Sequence, residues 1–137
     1  MGMTTASARL RDFATRYTAA WCSHDPARVA GFFAPNGSLK VNDGQPAVGR
    51  EAIADVARGF VTTFPDMLLL MDGISGTDER AVFRWTLVGT NSGPDGNGNK
   101  VRISGYEEWR FDADGLVLES RGHFDAEDYE RQLEAQR

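Results

Sequence analysis

Pro65 divides the chain into two halves with different apolar spacing. Before it, apolar residues recur at steps of three and four, the spacing of one helix face. Leu10, Phe13, Ala14, Tyr17, Ala20 and Trp21 make a first stripe, and Ile53, Val56, Ala57, Phe60, Val61 and Phe64 make another over about Arg50 to Thr63. Between them, Asp25 is a good N-cap and Pro26 fits the first helical position, so a short second helix carries Val29, Phe32 and Phe33. Pro35-Asn36-Gly37 stops that helix, and Ser38 to Val41 reads as a short strand. After Pro65 the period becomes two. Met67–Ile74, Ala81–Thr90, Val101–Phe111 and Leu116–Phe124 read as strands joined by turn-forming segments, and a short amphipathic helix follows from Ala126. Helices segregated from an antiparallel sheet mean an α+β fold. Helices on one side of a curved sheet enclose a pocket, which is a natural ligand site.

With 137 residues, 41% hydrophobic and 26% charged, the chain has the size and balance of one globular domain spanning 1–137. The net charge is −5, from 15 Lys and Arg against 20 Asp and Glu, without a basic cluster. Nucleic acid and anionic membranes, which need such a cluster, are therefore not expected partners. Cys22 is alone and falls within a helical apolar pattern, which suits a buried thiol and gives no sign of an oxidising compartment. The first residues do not read as a targeting segment, and the longest apolar run, Met67 to Met71, is too short to span a bilayer. The expected location is the cytoplasm.

The strand Val101–Phe111 is the most informative. Val101, Ile103, Gly105, Glu107, Trp109 and Phe111 share one face, so alternation places the Glu107 carboxylate on the apolar side. An unpaired buried charge costs several kcal/mol, so Glu107 must be paired, hydrated or protonated. Two readings stand: a strand-end residue with a local partner, or a cavity acid with a raised pKa. By the same alternation Trp85 and Ser120 face inward with the apolar residues, whereas Arg84, Val117 and His123 face outward. Tyr17 sits on the core face of the first helix, either as a core residue or as a cavity hydroxyl. Trp21, Trp85 and Trp109 all fall on apolar faces, where they suit either a core or an apolar ligand. His24, in a helix–helix turn, is expected to be exposed.

Other motifs do not hold. Gly93 to Lys100 lacks the Gly-Lys-Ser/Thr end of a phosphate loop and joins two strands. Asp95, Asn97 and Asn99 have calcium-loop spacing, but Lys100 and Tyr106 stand where Gly and Glu are required. No His or Cys cluster has zinc spacing.

Several segments occur in a joint order that resembles the SnoaL-like members of the nuclear transport factor 2-like superfamily. They are Tyr17 to Trp21 with His24-Asp25-Pro26, Phe32 to Gly37, Val48 to Ile53, Phe64 to Met67, Phe83 to Thr86 with Gly89-Thr90, Glu108 to Phe111 with Asp114-Gly115, Phe124-Asp125, and Gln132-Leu133. The resemblance implies a cone-shaped α+β fold with a deep apolar pocket, usually a homodimer. It also implies relatives that include ketosteroid isomerases, polyketide cyclases, epoxide hydrolases and non-catalytic proteins, so fold alone does not give function. Tyr17 matches the oxyanion-hole tyrosine of the isomerases, and Glu107 the protonated carboxylic acid beside it. Their general base falls on Val41, with Asn42 and Asp43 next to it. The last-strand aspartate of the cyclases and epoxide hydrolases falls on Gly122. The epoxide hydrolases' inward arginine aligns with Arg84, against the alternation, and the carboxylate two residues on is Thr86 here.

The resemblance thus implies a domain that binds a small apolar molecule, with no cofactor and no metal. If it is an enzyme, it performs acid–base chemistry beside a carbonyl, of isomerase or cyclase type. Tyr17 and Glu107 then stabilise an enolate, and Asp43, His123 or the substrate supplies the base. Trp21, Phe60, Phe64, Arg84, Trp85, Trp109 and Ser120 are the expected ligand-binding walls. The alternative is a ligand-binding or regulatory domain without turnover. The outward sheet face, with Val82, Val88, Tyr106 and Val117, is expected to bury itself in a homodimer.

Overall fold

A computed structural model describes residues 6–134. Helix α1 (Ala8–Cys22) starts at Ser7, whose hydroxyl accepts a hydrogen bond from the Leu10 N–H, and buries all six residues of its stripe. Asp25 caps α2 (Pro26–Ala30) through the Ala27 N–H. This helix ends earlier than its apolar pattern suggests. Gly31 is its C-cap, and Phe33 already belongs to β1 (Phe33–Val41). The Pro35-Asn36-Gly37 segment therefore does not precede the strand. It is an irregularity inside it, where the pairing register shifts between Phe33 and Ser38. A two-residue strand β2 (Ala47–Val48) leads into α3 (Arg50–Thr63). Then come β3 (Leu68–Gly76), β4 (Arg80–Thr90), β5 (Lys100–Phe111), β6 (Val117–Phe124) and α4 (Ala126–Glu134).

The six strands form one curved sheet in the order β2-β1-β6-β5-β4-β3. The sheet is mixed rather than purely antiparallel, because β1 pairs with β6 in parallel. That pairing sets Leu39 beside Ser120 and Val41 beside Gly122.

The inner face of the sheet and the helices share one core, dense in aromatic rings. Phe83 and Trp109 stack at 5.0 Å and 9° between planes, the diagonal pairing expected of neighbouring antiparallel strands. Tyr17 stands edge-on to both, at 5.4 and 5.1 Å, and to Phe32 at 5.6 Å. Each such buried side chain contributes about 2 kcal/mol by leaving water. Phe64 packs tightly over Gly89, where a β-carbon would lie 3.0 Å from the Phe64 Cβ.

Two details of orientation differ from simple alternation. Phe111 pairs with Val117 and Arg110 with Glu119, so Leu118 is an extra residue in β6. That bulge turns Val117 inward, fully buried, and removes it from the outer face. His24 takes a left-handed backbone (φ 61) and hydrogen-bonds through Nε2 to the Met67 carbonyl at 2.9 Å, so it is half-buried and fixed.

Candidate active site

Glu107 sits mid-way along β5, opposite Phe83 on β4 and Gly122 on β6. It is 7% exposed. Three side chains reach it as hydrogen-bond donors. Tyr17 Oη donates to Oε1 at 3.1 Å and to Oε2 at 3.2 Å. Trp109 Nε1 donates to Oε1 at 2.9 Å, and Ser120 Oγ to Oε1 at 2.7 Å. Each donor follows from the local fold. Trp109 is two residues on along the same strand, hence on the same face. Ser120 faces inward on β6, opposite Trp109. Tyr17 projects from the buried stripe of α1.

The electrostatics oppose one another. Burial raises the Glu107 pKa, whereas hydrogen bonds from Ser120, Trp109 and Tyr17 lower it. Burial prevails, and the carboxyl titrates above the ordinary glutamate range. Oε1 is occupied by three donors and Oε2 only by the shared Tyr17 hydroxyl, so Oε2 is the oxygen with room for a proton. Burial, and then the Glu107 charge, push the Tyr17 phenol well above its usual value. Tyr17 therefore remains a donor. The Trp21 N–H partly offsets that rise from beside the phenolic oxygen, but without hydrogen-bond geometry.

The carboxyl opens onto a cavity of about 60 Å³. Its walls are Trp21 from α1, Leu39 and Val41 from β1, and Val56 and Phe60 from α3. Leu69, Trp85, Leu87, Gly122 and Phe124 complete them. Glu107 is the one ionisable residue in this lining. The positions of the two other carboxylates suggested by the resemblance, Val41 and Gly122, do line the cavity and bring no charge to it. The arrangement can donate a proton or a hydrogen bond. Among the described residues, no three His, Cys, Asp or Glu side chains gather where a metal ion could be held.

The predicted residues separate into three groups. Trp21, Phe60 and Trp85 are cavity walls. Trp109 and Ser120 are outside the lining and instead hold the Glu107 carboxyl. Phe64 is 1% exposed and packs against Tyr129 and Gly89 rather than the cavity. Arg84, Asp43 and His123 are elsewhere. Arg84 pairs with Tyr106 on the outer face and is exposed, as alternation rather than alignment requires. Asp43 is exposed in the turn after β1. His123 stacks on Tyr106 at 4.7 Å, and its Nε2 is 2.8 Å from Glu108 Oε1, again outside. The Trp109 and Ser120 contacts with Glu107 were readable only in part. Alternation puts all three on one face, but which side chain meets which depends on the β5–β6 register.

The SnoaL-like domain family matches residues 14–120. The chain belongs to that family. No curated protein matches it significantly. Among solved structures, one similar protein is assigned as a polyketide cyclase from Xanthomonas campestris pv. campestris. It is 18% identical, covering 91% of this chain and 96% of that one, with a TM-score of 0.80. An NTF2-like protein of unknown function from Burkholderia pseudomallei is 21% identical, with 93% and 99% covered and a TM-score of 0.79. AclR of Streptomyces galilaeus, assigned as a hydroxylase, is 23% identical, with 92% and 81% covered and a TM-score of 0.77. At these identities the likeness establishes the fold of this SnoaL-like domain. No helix of the described residues is long and apolar enough to cross a membrane.

Proposed function

We propose that this SnoaL-like domain binds a small, mostly apolar carbonyl compound and promotes proton transfer beside the carbonyl. Protonated Glu107 is the electrophilic donor. The observation that carries this reading is a single buried carboxyl, held through Oε1 by three donors, in an otherwise apolar cavity. A ligand carbonyl placed against Oε2 accepts the Glu107 proton in a low-dielectric setting, where such a bond is strongest. The α-proton leaves to water. The negative charge that develops on the carbonyl oxygen is neutralised as the Glu107 proton crosses to it, giving the enol, and Glu107 is reprotonated from solvent. Tyr17, Ser120 and Trp109 set the orientation of the acid. Structures of the same fold include proteins assigned as polyketide cyclases, which supports carbonyl chemistry as the class.

A second reading is a ligand-binding domain without turnover. It is favoured by one observation: no second ionisable side chain lines the cavity to serve as base. Deuterium exchange separates the two. Cyclohexanone, a single-ring ketone with no other polar group, is incubated in D2O with the protein, and exchange at its α-carbons is followed by NMR. The enzymatic reading expects exchange above the buffer rate that is lost in Glu107→Leu. Binding seen by tryptophan fluorescence, with exchange at the buffer rate, selects the non-catalytic reading. No perturbation of Trp21 or Trp85 by any small apolar carbonyl compound rejects both.

We also propose a homodimer through the outer sheet face, supported by the exposure of Leu68, Leu70 and Tyr106 there.

A further inference from the structure

The donors around Glu107 fit an ionised carboxylate better than a neutral acid. A carboxylate offers about four lone-pair sites over its two oxygens, whereas a protonated carboxyl gives up part of them to its own proton. Ser120 at 2.7 Å and Trp109 at 2.9 Å fill the two sites of Oε1. Tyr17, shared between the oxygens at 3.1 and 3.2 Å, then serves Oε2. With a proton on Oε2, all three donors crowd onto Oε1. Each bond favours the charged form, and only burial outweighs them. What an ionised Glu107 lacks is a counter-ion, since no Lys, Arg or His is among the cavity walls.

Those walls suit a cation. Trp21, Phe60, Trp85 and Phe124 all line the cavity. A β-carbon on Gly105 would lie 2.6 Å from Trp85 Cζ2 and 3.0 Å from Cη2, so the six-membered ring of Trp85 covers Gly105. Gly105 precedes Glu107 by two residues on the same face of β5, about 7 Å along the strand. The Trp85 ring and the carboxyl therefore border one space. Aromatic faces attract ammonium groups, more strongly when both are desolvated. A buried ion pair holds only if further hydrogen bonds satisfy its carboxylate, and Ser120, Trp109 and Tyr17 supply them. The net charge of −5 also attracts a cationic ligand.

We infer that the cavity also takes a small apolar amine as its ammonium ion, with Glu107 as counter-ion and the aromatic walls around the carbons attached to nitrogen. This goes beyond the carbonyl reading: a ketone needs the proton on Glu107, and an ammonium ion needs it gone. An amine arriving as the free base takes that proton. The Oε2–H bond breaks, an N–H bond forms, and ammonium and carboxylate remain paired. An amine arriving charged displaces the proton to water. Tyr17 is the other titratable group in contact with Glu107, and it stays protonated. The walls from α3, β1, β3, β4 and β6 carry no charge.

The test compares N-methylpiperidine, an ammonium ion at neutral pH, with methylcyclohexane, its uncharged analogue of the same shape. Affinities are measured by NMR titration for the wild type and Glu107→Gln. The wild type should prefer the amine by about tenfold to a hundredfold, the range for one hydrogen bond to a charged group. Glu107→Gln should lose that preference while binding methylcyclohexane within about twofold of wild type, because the apolar walls remain. In the wild type, bound amine should move the 13C titration of the Glu107 carboxyl lower, the reverse of the shift that a ketone produces. A wild type that binds methylcyclohexane as well as the amine, or binds neither, overturns the inference, as does a preference that survives in Glu107→Gln. Should that variant not fold, a wild-type carboxyl titration that bound amine leaves in place or raises overturns it as well. In each of these cases the carbonyl reading stands or falls separately, by deuterium exchange.

Discussion

Tyr17 and Glu107 lie ninety positions apart in sequence and meet in the core, the phenol donating to both carboxyl oxygens at 3.1 and 3.2 Å. One comes from the buried stripe of the first helix, the other from the inner face of a central strand. Burial moves both groups towards their protonated forms, and the pair is consistent only if Tyr17 donates and Glu107 accepts. Nothing in this geometry turns the phenol into a base.

Stability should respond to pH through Glu107. Its folded pKa is raised, so the protonated folded state is favoured. The stabilisation is complete below the unfolded value of about 4.3 and is lost as pH rises through the folded one. Glu107→Gln keeps the shape, an acceptor for the three donors and an N–H in place of the Oε2 proton. The variant is expected to fold, to be as stable as or more stable than the wild type at neutral pH, and to lose the pH dependence over that window. Urea melts at a series of pH values report this. A Glu107→Gln protein that is less stable at pH 8 than at pH 4, relative to wild type, contradicts it.

Ser120→Ala removes one of the bonds that lower the Glu107 pKa. The carboxyl should then titrate higher than in the wild type. The cost in stability should be about 1 kcal/mol, the net worth of one hydrogen bond. A carboxyl that titrates lower in this variant would mean that Ser120 was not donating to it.

Gly122 is where a carboxylate could be introduced. A β-carbon there meets Lys40 O at 3.5 Å and Glu107 Cγ at 3.8 Å, ordinary contacts. Gly122→Ala should therefore fold with stability within about 1 kcal/mol of wild type, since a strand glycine also carries an entropy cost. It should weaken cyclohexanone binding by filling the space over Glu107. Unchanged binding would place the ligand away from the carboxyl.

Arg84→Ala and His123→Ala alter only the outer face, so cavity binding should be unchanged in both. If that face is the homodimer interface, sedimentation of the wild type at micromolar concentration gives twice the 15.0 kDa chain mass. A single-chain mass removes the dimer proposal without touching the cavity.

The fold was largely legible because the periodicity changes cleanly at Pro65, and the helical stripes and strand alternation carry the burial. What escaped has local physical causes. The β1 irregularity at Pro35-Asn36-Gly37 has turn chemistry, which signals an ending in sequence, although the strand continues through it. The bulge at Leu118 reverses the facing of Val117, and a bulge leaves no mark in an alternation pattern. The parallel β1–β6 pairing joins distant segments, and local periodicity carries no such information. For the site, alternation found Glu107, Trp85 and Ser120 on the inner face and placed Arg84 and His123 outside. It could not tell cavity walls from carboxyl partners, since Trp21 and Trp109 look alike in sequence. That difference depends on whether the indole N–H meets an oxygen, which only the register and the helix position decide.

Glu107 retains its proton beyond the usual glutamate range while facing an apolar cavity. A 13C NMR titration of the side-chain carboxyl, assigned by its loss in Glu107→Gln, tests it most directly. The predicted result is a single transition above the ordinary value of about 4.3, moving higher when cyclohexanone is bound, because the ligand accepts from the protonated form. A carboxyl that titrates at or below that value, or whose titration ignores bound ketone, would contradict the claim.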